Sequence, residues 1–117
     1  MLVVEDEAGI REALASALAD EGYEVRAAAD GEAGLAVLGA WLPHVILLDL
    51  MMPVMDGWAF RAEQRQLDRA RHIPVIVLSG ARDMRAGVDQ LGAAAAIAKP
   101  FDLDLVLSRV NELAPSH

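Results

Sequence analysis

Short apolar runs alternate with segments of helical period along the whole chain. The runs are Leu2 to Val4, Tyr23 to Ala28, His44 to Leu48, Ile73 to Leu78 and Ala94 to Ala98. The third and fourth are almost wholly apolar, the pattern of central parallel strands covered on both faces. The second alternates polar and apolar residues, which fits an edge strand. Between the runs, Ile10, Leu14 and Leu18 recur every fourth residue and predict a helix from about Ala8 to Glu21, stopped by Gly22. Asp30 is placed to N-cap a second helix ending near Gly39. Further helices are predicted over Gly57 to Leu67, Asp83 to Leu91 and Asp102 to Leu113. Five strands and five helices in strict alternation predict an α/β fold, a (βα)5 doubly wound five-stranded parallel sheet. No repeat or linker interrupts the pattern, so residues 1–117 read as a single domain.

Composition narrows the chemistry. Hydrophobic residues make up 55% of the chain, enough for a core, which excludes intrinsic disorder. The net charge of −8 and a pI near 4.7 argue against binding a phosphate backbone. The chain has no cysteine, so disulfides, thiolate metal sites and cysteine nucleophiles are excluded, and a reducing, cytoplasmic setting is expected. No apolar run approaches the roughly 18 residues that span a bilayer. Met1-Leu2-Val3-Val4 meets Glu5 at once and lacks the build of a signal peptide.

The polar exceptions fall at strand ends. Glu5 and Asp6 follow the first strand, Asp49 ends the third, Ser79 the fourth and Lys99 the fifth. In an open parallel sheet the carboxyl ends of the strands form one edge, with the ligand crevice at the topological switch point. Three carboxylates, a hydroxyl and an ammonium are therefore expected together. At about 4 Å and an effective dielectric near 20, each like-charge pair costs on the order of 4 kcal/mol. Protons or a cation must relieve that repulsion. Oxygen-only ligands without nearby His or Cys favour Mg2+. The implied chemistry is phosphoryl transfer, with Asp49 as nucleophile forming an aspartyl phosphate.

Four segments carry a family resemblance: Val3-Val4-Glu5-Asp6-Glu7, Leu48 to Gly57, Ser79-Gly80 and Lys99-Pro100-Phe101. In order and spacing, across essentially the whole chain, they resemble the receiver domain of two-component response regulators. The resemblance implies the flavodoxin-like strand order 2-1-3-4-5. It implies that Asp49 accepts a phosphoryl group from the phosphohistidine of a sensor histidine kinase or phosphotransfer protein. Glu5, Asp6, Asp49 and the Met51 main-chain carbonyl would serve Mg2+, with Asp6 the direct ligand and Glu5, longer than the commoner Asp, acting through a water. Ser79 and Lys99 would each contact a phosphoryl oxygen after transfer, and Lys99-Pro100 is a candidate cis bond. The phosphorelay role further implies a phosphoprotein in the cytoplasm that switches conformation to control a partner or output domain. A homodimer through the fourth helix, fifth strand and fifth helix belongs to the same picture. Direct nucleic-acid binding, membrane contact and enzymatic turnover, beyond assistance to its own phosphorylation and dephosphorylation, do not.

Blander roles compete residue by residue. Glu5 and Asp6 could merely cap the first helix, Ser79 could cap a loop, and Lys99 could be a solvated charge; only their convergence with Asp49 argues otherwise. Asp56-Gly57 reads as a turn and N-cap, Met51, Met52 and Met55 as loop packing, Trp41 and Trp58 as packing residues, and His44, His72 and His117 as non-ligands. One departure stands out. Receivers usually carry Tyr or Phe three residues before the lysine, where this chain has Ala96. A methyl group has no rotamer to switch, which motivates an alternative: a receiver-like scaffold that recruits partners independently of phosphate. A phosphohydrolase using the same covalent chemistry would need an acid two residues after Asp49, where Met51 stands. A flavin module would place hydroxyls and amides where Glu5 and Asp6 lie.

Overall fold

The computed structural model describes residues 1–52, 54–80 and 89–114. Its strands are β1 (Leu2–Val4), β2 (Arg26–Ala28), β3 (Ile46–Asp49), β4 (Val75–Ser79) and β5 (Ala95–Ala98). The helices are α1 (Ala8–Asp20), α2 (Gly31–Ala40), α3 (Gly57–Arg65), α4, described over residues 89–91, and α5 (Leu103–Leu113). All strands are parallel, in the order β2-β1-β3-β4-β5. The expected doubly wound sheet and its strand order are both present. Most of the expected fourth helix lies outside the described residues.

Strand alternation sorts the core into two layers. Leu2, Val4, Ile46, Leu48, Val75 and Val77 pack on one face with Leu38 of α2 and Phe60 of α3. Val3, Leu47, Ile76 and Leu78 pack on the other with Leu14 and Leu18 of α1 and Val106 and Val110 of α5. The central strands are apolar throughout because both faces are covered.

The helix starts follow the sequence. Asp30 Oδ1 accepts from the Ala33 amide at 2.8 Å, Asp56 Oδ1 from the Ala59 amide at 2.9 Å, and Asp102 Oδ1 from the Asp104 amide at 2.9 Å. Gly22, at φ 93°, ends α1 in the left-handed conformation. β2 is three residues shorter than its apolar run predicts. Leu2 pairs with Arg26, and ahead of that pair Met1 donates to the Glu24 carbonyl at 2.7 Å and accepts from the Arg26 amide at 2.9 Å.

A buried polar network joins α3 to the end of α4. Arg61 donates from Nε to the Leu91 carbonyl at 2.9 Å and from Nη1 to Gln64 Oε1 at 2.8 Å. Gln64 Nε2 donates in turn to the carbonyls of Ala70 at 2.9 Å and Ile73 at 3.2 Å. Arg65 also donates to the Leu91 carbonyl. Two cations at the carbonyl end of a helix sit where the helix dipole favours them. Burial, and then the charge of Arg65, hold the Arg61 pKa below its ordinary value.

Candidate functional site

Strand register assembles the site. Val4 lies opposite Leu48, so Glu5 and Asp49 follow side by side at the ends of β1 and β3, where the strand order reverses. Asp49 lies opposite Leu78, and Ser79 opposite Ala98, which brings Ser79 and then Lys99 to the same edge. The Lys99 amide donates to the Ser79 carbonyl at 2.7 Å, and Lys99-Pro100 is cis. Glu5, Asp49 and Ser79 are buried, Asp6 is exposed, and 24% of the Lys99 side chain is exposed. Glu5, Asp6, Asp49 and Lys99 therefore meet in one place, and the strand register brings Ser79 to the same edge.

Lys99 reaches back over β4 and β3 to Glu5. Its Nζ donates to Glu5 Oε1 at 2.8 Å and Oε2 at 3.0 Å, and stands 3.3 Å from Asp49 Oδ2. Burial alone would depress the Lys99 ammonium; the Glu5 hydrogen bonds and the charges of Asp49 and Glu5 outweigh it and hold its pKa above the ordinary value. Burial, then the Glu5 charge, push Asp49 up to about 7, although the Met51 amide, donating to Oδ1 at 3.1 Å, and Lys99 act the other way. The Asp6 side chain adds a hydrogen bond that favours the protonated form. Glu5 and Asp6 do not cap α1: Glu7 is its N-cap and makes no side-chain cap bond.

One oxygen from each of Glu5, Asp6 and Asp49 lies within 4.8 Å of the others. Ligands on opposite sides of a magnesium ion stand about 4.2 Å apart, from bonds of roughly 2.1 Å. Adjacent ligands stand closer, about 3 Å apart, so the all-oxygen trio suits one hard divalent cation once its members draw together or one of them binds through a water. Glu5, with both oxygens on Lys99, is the member suited to indirect contact.

A raised carboxylate pKa fixes a pH dependence. Folded Asp49 binds its proton more tightly than unfolded Asp49, so its contribution to stability is present at low pH and lost as pH rises from about 4 to about 7. Each pH unit in which only the folded state holds the proton is worth about 1.4 kcal/mol. Without divalent cation, the stability advantage of wild type over Asp49→Asn is expected to fall across that window in urea melts. A constant difference would remove the shift.

Gly57 is a contributor that the sequence reading takes only as part of a turn. A Cβ there would meet the Asp49 carbonyl oxygen at 2.6 Å and Leu50 Cα at 2.7 Å, so α3 starts directly against the backbone of the central acid. Asp56, the N-cap beside it, is structural as expected. Val54, between Met51 and Gly57, holds φ 67°, a strained setting for a β-branched residue, and is 77% exposed. Met52 is buried while Met51 is exposed, so only part of the methionine loop packs inward. Trp41 and Trp58 pack against the core as expected. Ala96 lies opposite Val77 and packs against the same layer.

This fold, with an acidic trio and a lysine at the switch point, defines a class. The chain belongs to the response regulator receiver domain family, whose model matches residues 1–111. It is 40% identical over 117 residues to the response regulator PleD of Caulobacter vibrioides, an alignment spanning 97% of this chain and 25% of that protein. It is 32% identical over 115 residues to sporulation initiation phosphotransferase F of Bacillus subtilis, spanning 98% of this chain and 93% of that one. The chemotaxis protein CheY4 of Vibrio cholerae is similar in structure, with a TM-score of 0.87 and 30% identity over 96% of this chain and 95% of that chain. Other relatives are longer: the chain spans 47% of the probable transcriptional regulator ycf27 of Porphyridium aerugineum. Receiver domains of this family work in two-component signalling, with an acidic pocket for Mg2+ and histidine kinases or phosphotransfer proteins as partners. Among the described residues, no helix is long and apolar enough to cross a membrane.

Proposed function

We propose that this chain is a phosphorylation-dependent switch whose phosphoacceptor is Asp49. The observation that carries the reading is the Glu5–Lys99–Asp49 bridge beside Asp6 and Ser79 at the switch point of the sheet. A carboxylate oxygen of Asp49 attacks the phosphorus of a phosphohistidine; the P–O bond forms as the P–N bond breaks, and the departing imidazole takes up a proton. Bound Mg2+ supplies the positive charge that keeps Asp49 ionised and offsets the phosphoryl oxygens. Glu5 holds Lys99 over the pocket, so an ammonium is already 3.3 Å from the attacking carboxylate. After transfer, Lys99 and the Ser79 hydroxyl contact the new oxygens. The domain assists only its own phosphorylation and dephosphorylation and is not a turnover enzyme. It works in the cytoplasm, receives its phosphate from a sensor histidine kinase or phosphotransfer protein, and dimerises through α4, β5 and α5 without binding nucleic acid itself.

The test is incubation with acetyl phosphate and MgCl2, read by intact mass and by peptide mapping after trapping with hydroxylamine. One phosphoryl group is expected in the intact mass, and the hydroxamate that replaces it is expected on the peptide containing Asp49; a hydroxamate elsewhere would overturn the assignment. Lys99→Ala should fold and still take label, yet its amide spectrum should change far less on phosphorylation than that of wild type. An equal change would remove Lys99 from the switch.

Ala96 supports a second reading, a scaffold that binds partners regardless of phosphate. Equal partner affinity of wild type and Asp49→Asn under phosphorylating conditions would favour it.

A further inference from the structure

We infer that Arg11 is a positioning residue for the acidic pocket: its guanidinium fastens the bend at Glu5 and Asp6, and so sets the affinity for divalent cation. The inference rests on the reading of the trio as a cation site given above. Arg11 Nη1 donates to two carbonyls, that of Glu5 at 3.0 Å and that of Asp6 at 3.3 Å.

The reason lies in strand geometry. Consecutive side chains of an extended strand point to opposite faces. Val3 and Val4 obey this, entering opposite core layers. Glu5 and Asp6 do not: both bring a carboxylate oxygen within 4.8 Å of Asp49's, which requires the chain to bend after β1. The Glu5 amide is held by the Ala28 carbonyl of β2 at 3.1 Å, so the start of the bend is fixed. Beyond it, Glu7 provides no side-chain cap for α1. Arg11, on the first turns of α1 with its amide on the Glu7 carbonyl at 2.9 Å, closes the gap from the helix side. Guanidinium geometry suits this, since it is always charged and offers several donors in a rigid plane.

Arg11 forms no ion pair with the three acids among the described residues, so it competes neither with a cation nor with Lys99. This separates positioning from plain electrostatics by sign. Removing a positive charge near an acidic pocket should tighten cation binding if charge alone matters. Releasing the bend should weaken it, because two ligands are no longer held together; losing a partner that orients metal ligands typically costs 10–100-fold in affinity.

The experiment is a MgCl2 titration of the whole chain followed by amide chemical shifts, for wild type, Arg11→Ala, Arg11→Lys and Arg69→Ala. Arg69→Ala removes the same charge from an exposed position in the turns between α3 and β4. Arg11→Ala should bind Mg2+ about tenfold more weakly, Arg11→Lys should fall between it and wild type, and Arg69→Ala should match wild type. The Mg2+ concentration for half-maximal labelling by acetyl phosphate should rise in parallel. Unchanged or tighter Mg2+ binding by Arg11→Ala overturns the inference, as does a loss of thermal stability without a loss of affinity. Should Arg11→Ala fail to fold, Arg11→Lys decides by the same criterion. A wild type that neither binds Mg2+ nor takes label sinks the phosphoacceptor reading itself, whereas a competent wild type matched by Arg11→Ala sinks only the role of Arg11.

Discussion

Asp49→Ala is expected to take up no phosphoryl group from acetyl phosphate and Mg2+ under conditions that label wild type fully. The loss should be complete, because no second carboxylate can replace it. Glu5 is buried with both oxygens on Lys99, and Asp6 is exposed in the bend beyond β1. The variant should nevertheless fold well. Metal-free Asp49 is destabilising when ionised, since burial and Glu5 both oppose its charge. Its removal should raise the Tm measured at pH 8 without Mg2+, while the cavity left by a small side chain limits the gain. A variant that melts far below wild type would show instead that Lys99 needs Asp49 to stay in place. Intact mass spectrometry and a thermal melt on one sample separate these outcomes.

Arg61→Ala should produce the largest loss of stability away from the site. The substitution leaves Gln64 Oε1 without its donor, leaves the Leu91 carbonyl to Arg65 alone, and removes a buried side chain from under α3. An unsatisfied buried acceptor costs about 1–3 kcal/mol and the lost packing adds to it, so a total of roughly 3 kcal/mol is expected. For a domain of this size that lowers Tm by more than about 10 °C. Gln64→Ala should act similarly, and the double variant should cost much less than the sum, because both act through one network. Additive effects in a urea-melt cycle would mean the two side chains work independently. Phosphoryl labelling of Asp49 at a temperature where the variant is folded should be unaffected.

The strand runs, the α1 stripe and the caps at Asp30 and Asp56 were legible because each is a local pattern: apolar continuity, a period near 3.6, an Asp ahead of a helix. The site was legible because parallel βα order puts all strand ends on one edge, so Glu5, Asp49, Ser79 and Lys99 could be gathered without coordinates. What stayed hidden depends on distances between segments far apart in sequence. Nothing local marks Arg61 and Gln64 as buried, yet they are, since the carbonyls they donate to lie up to 31 residues away. Lys99 was expected on a phosphoryl oxygen; in the absence of phosphate it holds Glu5, a pairing 94 residues apart in sequence. The shortening of β2 follows from register with β1, which no pattern within Tyr23 to Ala28 encodes. Gly57 looked like a turn residue because the sequence does not say how close α3 comes to Asp49.

The alanines of β5 have a thermodynamic consequence. Ala95, Ala96 and Ala98 form most of an edge strand that pairs on one side only, and alanine has no side-chain rotamer entropy to lose or gain. Tightening or loosening of that border is therefore mainly a backbone event, with Ile97 the one side chain of the strand whose rotamers take part.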